Sequence, residues 1–203
     1  MAEAKRIVLA SASRSRRQML RAAGLDFEIV PADVDERAIR ETLTAGDAEM
    51  EAVDVAEVLA RAKAEWVSTR RPDAVVIGAD QVLALGSEIF EKPPDMAHAR
   101  RMLRRLAGAT HQLHSVVSLA EAGSSGWVYA DTAHLTMRSF SEPFLDDYLQ
   151  RAGAGILESV GAYRLEEMGV QLFERIEGDF FTILGMPLVP LLGELRARGA
   201  LGT

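Results

Sequence analysis

Short unbroken apolar runs alternate along this chain with longer stretches in which apolar residues recur every three or four positions. The first pattern suits buried strands, the second amphipathic helices. The run IVLA at residues 7–10 predicts a strand. A helix follows over residues 13–23, with Gly24 as its stop. DFEIVPADVDE reads as a strand broken by Pro31 and then an acidic turn. A long helix is predicted over residues 48–69, where Val53, Val55, Val58, Leu59, Ala62 and Trp66 keep helical spacing. DAVVIGAD predicts a second buried strand that ends in Asp80, and VLALGSEIFEK a hairpin turning at Gly86 and Ser87.

The second half continues in the same way. DMAHARRMLRRLAG predicts an amphipathic helix ending at Gly108. HQLHSVVSLAEA and WVYADTAHLTMRSF read as two strands joined across GSSG, and EPFLDDYLQRAG as a helix. VQLFERIEG follows, and then DFFTILGMPLVPLLGELRARG, which ends in a helix started by Pro187 or Pro190. Strands and helices interleave, so the expected fold is α/β with a mixed sheet. No repeat, low-complexity linker or composition shift marks a boundary. One domain over residues 1–203 is expected, with a division into two lobes left open.

Composition narrows the function classes. No stretch approaches the roughly 18 apolar residues of a membrane span. The opening MAEAKRIVLA has too short an apolar stretch for a secretory signal. There is no cysteine, hence no disulfide, thiolate metal site or cysteine nucleophile. A cytoplasmic protein is expected. A formal net charge of −7 argues against general nucleic-acid binding, which usually shows a net basic face, but leaves room for a local anion pocket. Of 23 basic residues only Lys5, Lys63 and Lys92 are lysines. Lysine is a compact point charge and arginine a wide planar fork. Two interior lysines in an arginine-rich chain are either accidents or sites that need the compact ammonium.

The turn SASRSRR carries the first candidate chemistry. The leading amides of a helix lack intrahelical partners and attract anions. Ser11 and Ser13 add hydroxyl donors, and Arg16 and Arg17 can fork onto phosphate oxygens. The competing reading makes Ser13 an N-cap, worth about 1 kcal/mol, and the arginines a solvated face. Acids come next: Asp33, Asp35 and Glu36 after Pro31, and Asp80 where α/β sheets open toward ligands. Carboxylates suit Mg²⁺ or Mn²⁺ shared with substrate phosphates, and they can orient or deprotonate a water. For Asp33 and Asp35 turn chemistry is the simpler reading. GxxxxGK[ST], GxGxxG and HExxH are all absent. The four histidines are not at metal-ligand spacing: His98 reads as a helix-surface residue, and His111, His114 and His134 as structural.

Taken in order, these pieces resemble the Maf family of nucleoside triphosphate pyrophosphatases over nearly the whole chain. LASASRSRRQML is similar to the family's Ser-x-Ser…Arg opening, PADVDE to its acidic turn, and ARAKAEWV to its Lys-Ala helix. GADQV…EKPPD…AHARRMLRRLAGATHQLHSVV resembles its central signature, and GAYRLEEMGVQLFERIEGDFFTILGMPL its C-terminal one. The resemblance implies two α/β lobes around an extended mixed sheet with the site in the cleft, a divalent cation, and often a dimer, so a homodimer is expected. It implies that Ser11 and Arg16, with Ser13 and Arg17 beside them, hold a triphosphate. Glu36 and Asp80 would serve metal and water, Asp80 as general base, and Lys63 and Lys92 would neutralise phosphate charge. Gln81 falls among the substrate-binding positions.

The chain departs from the commonest family pattern at Gln81 (usually Thr), Glu91 (usually Gly), Ser115 (usually Thr) and RLEEMG (often Ile-Gln-Gly). ADQV with Glu166 resembles the branch acting on 7-methyl-GTP, whereas Glu167 fits neither that branch nor the one acting on dTTP and UTP. Guanine presents N1–H and N2–H₂ side by side, and a carboxylate at Glu166 is the matching double acceptor. The expected function is hydrolysis of a modified nucleoside triphosphate to a monophosphate and pyrophosphate. The alternative is a nucleotide-sensing module, for instance in cell division, that binds a triphosphate without turnover. Nucleic acid and membrane are not expected partners.

Overall fold

Val8 and Leu9 are almost wholly buried, as an unbroken apolar run requires when a strand is flanked on both edges and covered on both faces. The structure, a computed structural model, describes residues 5–44 and 50–202. In chain order it contains β1 (Arg6–Leu9), α1 (Arg14–Ala22), β2 (Glu28–Ile29), α2 (Glu36–Thr44), α3 (Ala52–Ser68), β3 (Ala74–Leu85), β4 (Glu88–Phe90), α4 (Met96–Leu106), β5 (Thr110–Glu121), β6 (Ser124–Met137), α5 (Glu142–Ala152), β7 (Phe173–Glu177), α6 (Phe180–Ile183) and α7 (Leu188–Ala197). Short 3₁₀ turns cover Gly153–Glu158 and Met168–Leu172. The strands form one open seven-stranded sheet in the order β2-β1-β3-β5-β6-β7, with β4 also on β3. β2, β1 and β3 run parallel and every other pairing is antiparallel. The expected mixed α/β sheet is what the chain forms.

One long strand organises the molecule. β5 pairs with residues 76–84 of β3, while the opposite edge of β3 is shared by β1, on residues 74–77, and β4, on residues 83–85. Between those two stretches that edge has no strand partner among the described residues, and Asp80 lies there, in mid-strand. Side chains alternate across a strand. Val82 packs with Val55 and Leu59 of α3 on one face, whereas Ile77 and Ala79 pack under α1 and α7 on the other. Farther along, Leu83 joins α4 and α5 in a separate cluster.

α3 lies unusually close to β3. A Cβ on Gly78 would collide with the Ala60 carbonyl and lie 2.6 Å from the Ala64 amide nitrogen. Ala56, Ala60 and Ala64 are fully buried, so small side chains line the contact.

Several expectations change. Asp80 does not end a strand, because β3 runs on into the hairpin's first arm. The acidic turn begins a helix: Glu36 starts α2, and the Asp35 carboxylate accepts the Ala38 amide at 2.9 Å. α3 begins at Ala52, where the Asp54 carboxylate accepts the Glu51 amide at 3.2 Å, and the expected start at Ala48 lies outside the described residues. β5 and β6 turn at Ala122 and Gly123 (φ 48° and 85°), not across GSSG, as suits a hairpin turn with two left-handed residues. Gly24, the Gly86–Ser87 turn and the α7 start after Pro187 fall where the sequence placed them. Among the described residues no helix is long and apolar enough to cross a membrane.

His111 is wholly buried. Its Nε2 lies 2.7 Å from the Tyr163 hydroxyl, and burial depresses its pKa to about 4, so it is a neutral core residue.

The α3–β3 approach yields a prediction. Gly78→Ala should lower stability by about 1–3 kcal/mol, as overpacking does, and should reduce activity by moving α3. Urea unfolding with parallel turnover measurements checks it; wild-type values in both would refute the close-contact argument.

Candidate active site

Four charged side chains meet above the unpaired edge of β3. Lys63 projects from the buried face of α3, and its Nζ lies 2.6 Å from Asp80 Oδ1 and 2.8 Å from Glu36 Oε1. Arg40, one turn after Glu36 on α2, brings Nη2 to 3.4 Å from Asp80 Oδ2 and 4.0 Å from Glu36 Oε2. Lys63 and Asp80 retain 9% and 6% of their side-chain exposure, so their charges are held largely away from water. A buried charge is tolerated only when paired and hydrogen-bonded. Burial alone would raise the Glu36 pKa, but Lys63, by charge and hydrogen bond, and then Arg40 and Lys92 outweigh it and hold that carboxyl below its usual range. Asp33 is exposed and stands apart from the cleft, as its turn chemistry suggested.

The opening turn supplies the next group. The Ser13 hydroxyl caps α1 by accepting the Arg16 amide at 3.4 Å, so the N-cap reading of Ser13 holds. Arg16 is buried and spans the gap in the sheet. Its Nε donates to the Gly185 carbonyl at 2.9 Å, and its Nη1 to the Ala79 carbonyl at 2.8 Å and the Ser11 hydroxyl at 3.2 Å. Arg16 therefore supplies a hydrogen bond to the open edge of β3, at the Ala79 carbonyl. Only Nη2 has no hydrogen-bond partner among the described residues, so Arg16 cannot grip a phosphate with a doubly free fork as the sequence suggested. Arg17 Nε is buried without a partner. Lys92 opens into the cleft, where burial first, then Arg16 and Lys63, lower its pKa.

Gln81 points to the opposite face from Asp80. Its amide nitrogen sits 3.0 Å from the Ser115 hydroxyl, 3.1 Å from the Thr182 carbonyl and 3.0 Å from the Ile183 carbonyl. Those oxygens claim both donor hydrogens, which leaves Oε1 as the only polar atom Gln81 can offer a ligand. Ser115, the other departure in this region, donates to the Thr182 carbonyl at 2.7 Å.

These residues line one cleft of about 930 Å³ that contains Ser11, Ser13, Arg16, Arg17, Glu36, Arg40, Lys63, Asp80, Gln81, Lys92 and Glu166. The site residues that the family resemblance pointed to thus reach a single cavity, whereas Asp33 and Asp35 do not line it. Its other wall is the segment at residues 157–166, which crosses the far half of β3: a Cβ on Gly161 would strike Leu83 Cδ1 at 2.8 Å. Arg164 braces this wall, donating to the Gly155 carbonyl at 2.8 Å, to Glu158 at 3.0 Å and to Glu167 at 3.2 Å. Glu167 is absent from the lining and Glu166 is present. The unusual Glu167 therefore serves the brace, not the pocket floor. Sequence reasoning missed Arg40 and Glu158, which belong to no motif, and gave no role to Arg164 inside the C-terminal signature; the signal for Arg40 was its place one helical turn after Glu36, and that required recognising α2.

A divalent cation fits the donor set. Asp80 and Glu36 offer hard carboxylate oxygens at one point of the cleft. The described residues contain no cluster of three or more metal-ligating side chains. Mg²⁺ is often held by one or two carboxylates, with substrate phosphates and water completing its shell, so a pair is a sufficient protein contribution.

Comparison with known proteins agrees with this geometry. Residues 6–198 match the family described as Maf-like protein. A protein of Mesorhizobium japonicum named 7-methyl-GTP pyrophosphatase is 53% identical, over 97% of this chain and 98% of its own length. A Brucella abortus protein of the same name is 51% identical, over 94% and 95%. A Granulibacter bethesdensis protein named nucleoside triphosphate pyrophosphatase is 50% identical, over 97% and 98%. The chain belongs to the Maf family.

Lys63→Met would leave the buried Asp80 carboxylate without its closest cation. The expected cost is on the order of 3–5 kcal/mol. Lys63→Met combined with Asp80→Asn should recover part of that loss. Chemical unfolding of both variants checks the pairing, and a cost below about 1 kcal/mol, the level of a surface pair, would contradict it.

Proposed function

We propose that the chain is a nucleoside triphosphate pyrophosphatase whose preferred base is N7-methylated guanine, acting in the cytoplasm on a modified nucleotide. The observation that carries this reading is the polarity of the cleft. Arg16, Arg17, Lys63 and Lys92 gather around Asp80 and the α1 turn, and Glu158 and Glu166 lie on the opposite wall. The Arg16 contact at Ala79 and the wall contact at Leu83 are four residues apart on β3, about 13 Å at roughly 3.3 Å per residue. That span suits a triphosphate at one end and a base at the other.

The reaction follows from these charges. Water attacks the α-phosphorus, the bond from that phosphorus to the α–β bridging oxygen breaks, and pyrophosphate leaves with the electron pair. Asp80 orients the water and accepts its proton, while Lys63 fixes the Asp80 carboxylate in place. Arg16 Nη2, Lys92 and the amides at the start of α1 stabilise the negative charge that grows on the leaving group, the term that usually dominates such catalysis. A Mg²⁺ or Mn²⁺ ion held by Asp80 and Glu36 would supply Lewis acidity toward the phosphate oxygens.

Two features favour the methylated guanine. The Glu166 carboxylate has no protein partner among the described residues and can accept both hydrogens of the guanine Watson–Crick edge. Methylation at N7 places a positive charge on the base, which Glu166 attracts and which ordinary guanine lacks. The relatives named 7-methyl-GTP pyrophosphatase support the same choice.

Pyrophosphate release from a panel of 7-methyl-GTP, GTP, dTTP and UTP tests the reading. Wild type should prefer 7-methyl-GTP. Asp80→Asn should lose about 10²–10⁴-fold in turnover, the usual worth of a general base. Glu166→Gln should lose most of the guanine preference without losing the fold. Tight triphosphate binding with no turnover by wild type would instead establish the nucleotide-sensing alternative.

A further inference from the structure

We propose that Arg40 is a placeholder for the divalent cation, covering the carboxylate oxygens that a metal must reach and moving to the triphosphate when the metal arrives. The inference rests on the metal reading given above. It is carried by how four carboxylate oxygens are shared between two cations. Asp80 Oδ1 and Glu36 Oε1 face Lys63 at 2.6 and 2.8 Å, whereas Asp80 Oδ2 and Glu36 Oε2 face Arg40 at 3.4 and 4.0 Å.

The two halves of this clamp are unequal. Lys63 retains 9% of its side-chain exposure and makes short contacts from a helix pressed against the sheet. Arg40 retains 21%, stands at the cleft wall and makes the long contacts. A cation entering from the cleft therefore meets the Oδ2 and Oε2 pair and competes with Arg40, not with Lys63. Removing Arg40 from two carboxylates is unfavourable unless its charge finds another anion. A triphosphate in the same cleft is that anion, and the guanidinium fork matches phosphate oxygens well.

Metal and nucleotide binding are then coupled beyond their direct contact. Metal alone must displace Arg40 from both carboxylates with no phosphate to receive it. Nucleotide draws Arg40 away and uncovers the oxygens. The coupling is reciprocal by linkage: whatever factor nucleotide adds to metal affinity, metal adds to nucleotide affinity. The arrangement would also disfavour metal uptake by the empty enzyme.

Mn²⁺ titration of the full-length protein, followed by electron paramagnetic resonance, tests this without turnover. It is run with and without an α,β-methylene triphosphate, which cannot be cleaved at the scissile position. Arg40→Gln should tighten Mn²⁺ binding to the nucleotide-free protein about tenfold and shrink the added effect of nucleotide by a similar factor, within the usual range of coupling between sites. Arg40→Lys, whose shorter side chain keeps the charge but reaches less far toward the two oxygens, should shift in the same direction by less. Arg37 lines the same cleft from the same helix but pairs with Glu41 at 2.7 Å, so Arg37→Gln is the control for general charge and should stay within about twofold, as screened charges do. Unchanged or weaker Mn²⁺ binding in Arg40→Gln would overturn the proposal. So would equal tightening in Arg37→Gln, which would reduce the effect to long-range charge. No Mn²⁺ binding by any protein, with or without nucleotide, would overturn the metal assignment itself and the inference with it.

Discussion

The structure turns on a lysine ammonium held between two carboxylates where the central strand has lost a neighbour. Lys63 at 2.6 Å from Asp80 and 2.8 Å from Glu36 joins three elements at one point: α3, β3 and the start of α2. Such a pair contributes little net stability, because desolvation offsets much of the attraction. Its value is positional. With Lys63 and Asp80 both buried, Asp80 cannot turn away without losing its closest cation, so its carboxylate is fixed before any ligand arrives.

The surrounding fold makes that point available. Were β3 fully paired along its edge, the backbone beside Asp80 would be consumed by sheet hydrogen bonds. Instead β1 pairs with β3 only as far as Ile77, β4 pairs from Leu83, and in the interval Arg16 donates to the Ala79 carbonyl while its second donor, Nε, holds that of Gly185. A side chain thus replaces a strand, and its remaining amino group faces the cleft. The tight α3 approach over Gly78 sets the depth from which Lys63 reaches Asp80, and the Gln81 amide ties the same stretch of β3 to the end of α6. Each neighbour of Asp80 has its own structural task, and together they leave one opening.

Much of this was legible in the sequence. Local signals carried β1, the Ser13 cap, Gly24 and the Gly86–Ser87 turn, since each depends on residues adjacent in the chain. Lys63 and Lys92 stood out as lysines in a chain that otherwise uses arginine, and both reach the cleft. Signals that needed three dimensions failed. The polar pair Asp80–Gln81 looked like a strand end, but the two side chains leave opposite faces of a strand that continues. α2 was hidden because Ile39 and Leu43 are the only large apolar residues in ERAIRETLT, and without it Arg40 had no place. Arg16 looked like a phosphate fork, and no local pattern announces that its guanidinium is spent on the Ala79 and Gly185 carbonyls and the Ser11 hydroxyl.

The most direct test is the turnover of Lys63→Arg on 7-methyl-GTP, with folding checked by thermal denaturation. The substitution preserves charge and changes only shape, replacing a compact ammonium with a wide planar fork. The account predicts a folded protein whose turnover falls by roughly 10²-fold or more, because the fork cannot occupy the space between the two carboxylates without displacing Asp80. Turnover near that of wild type would contradict it, showing that a positive charge near Asp80 suffices and that the geometry described for Lys63 does not govern the site.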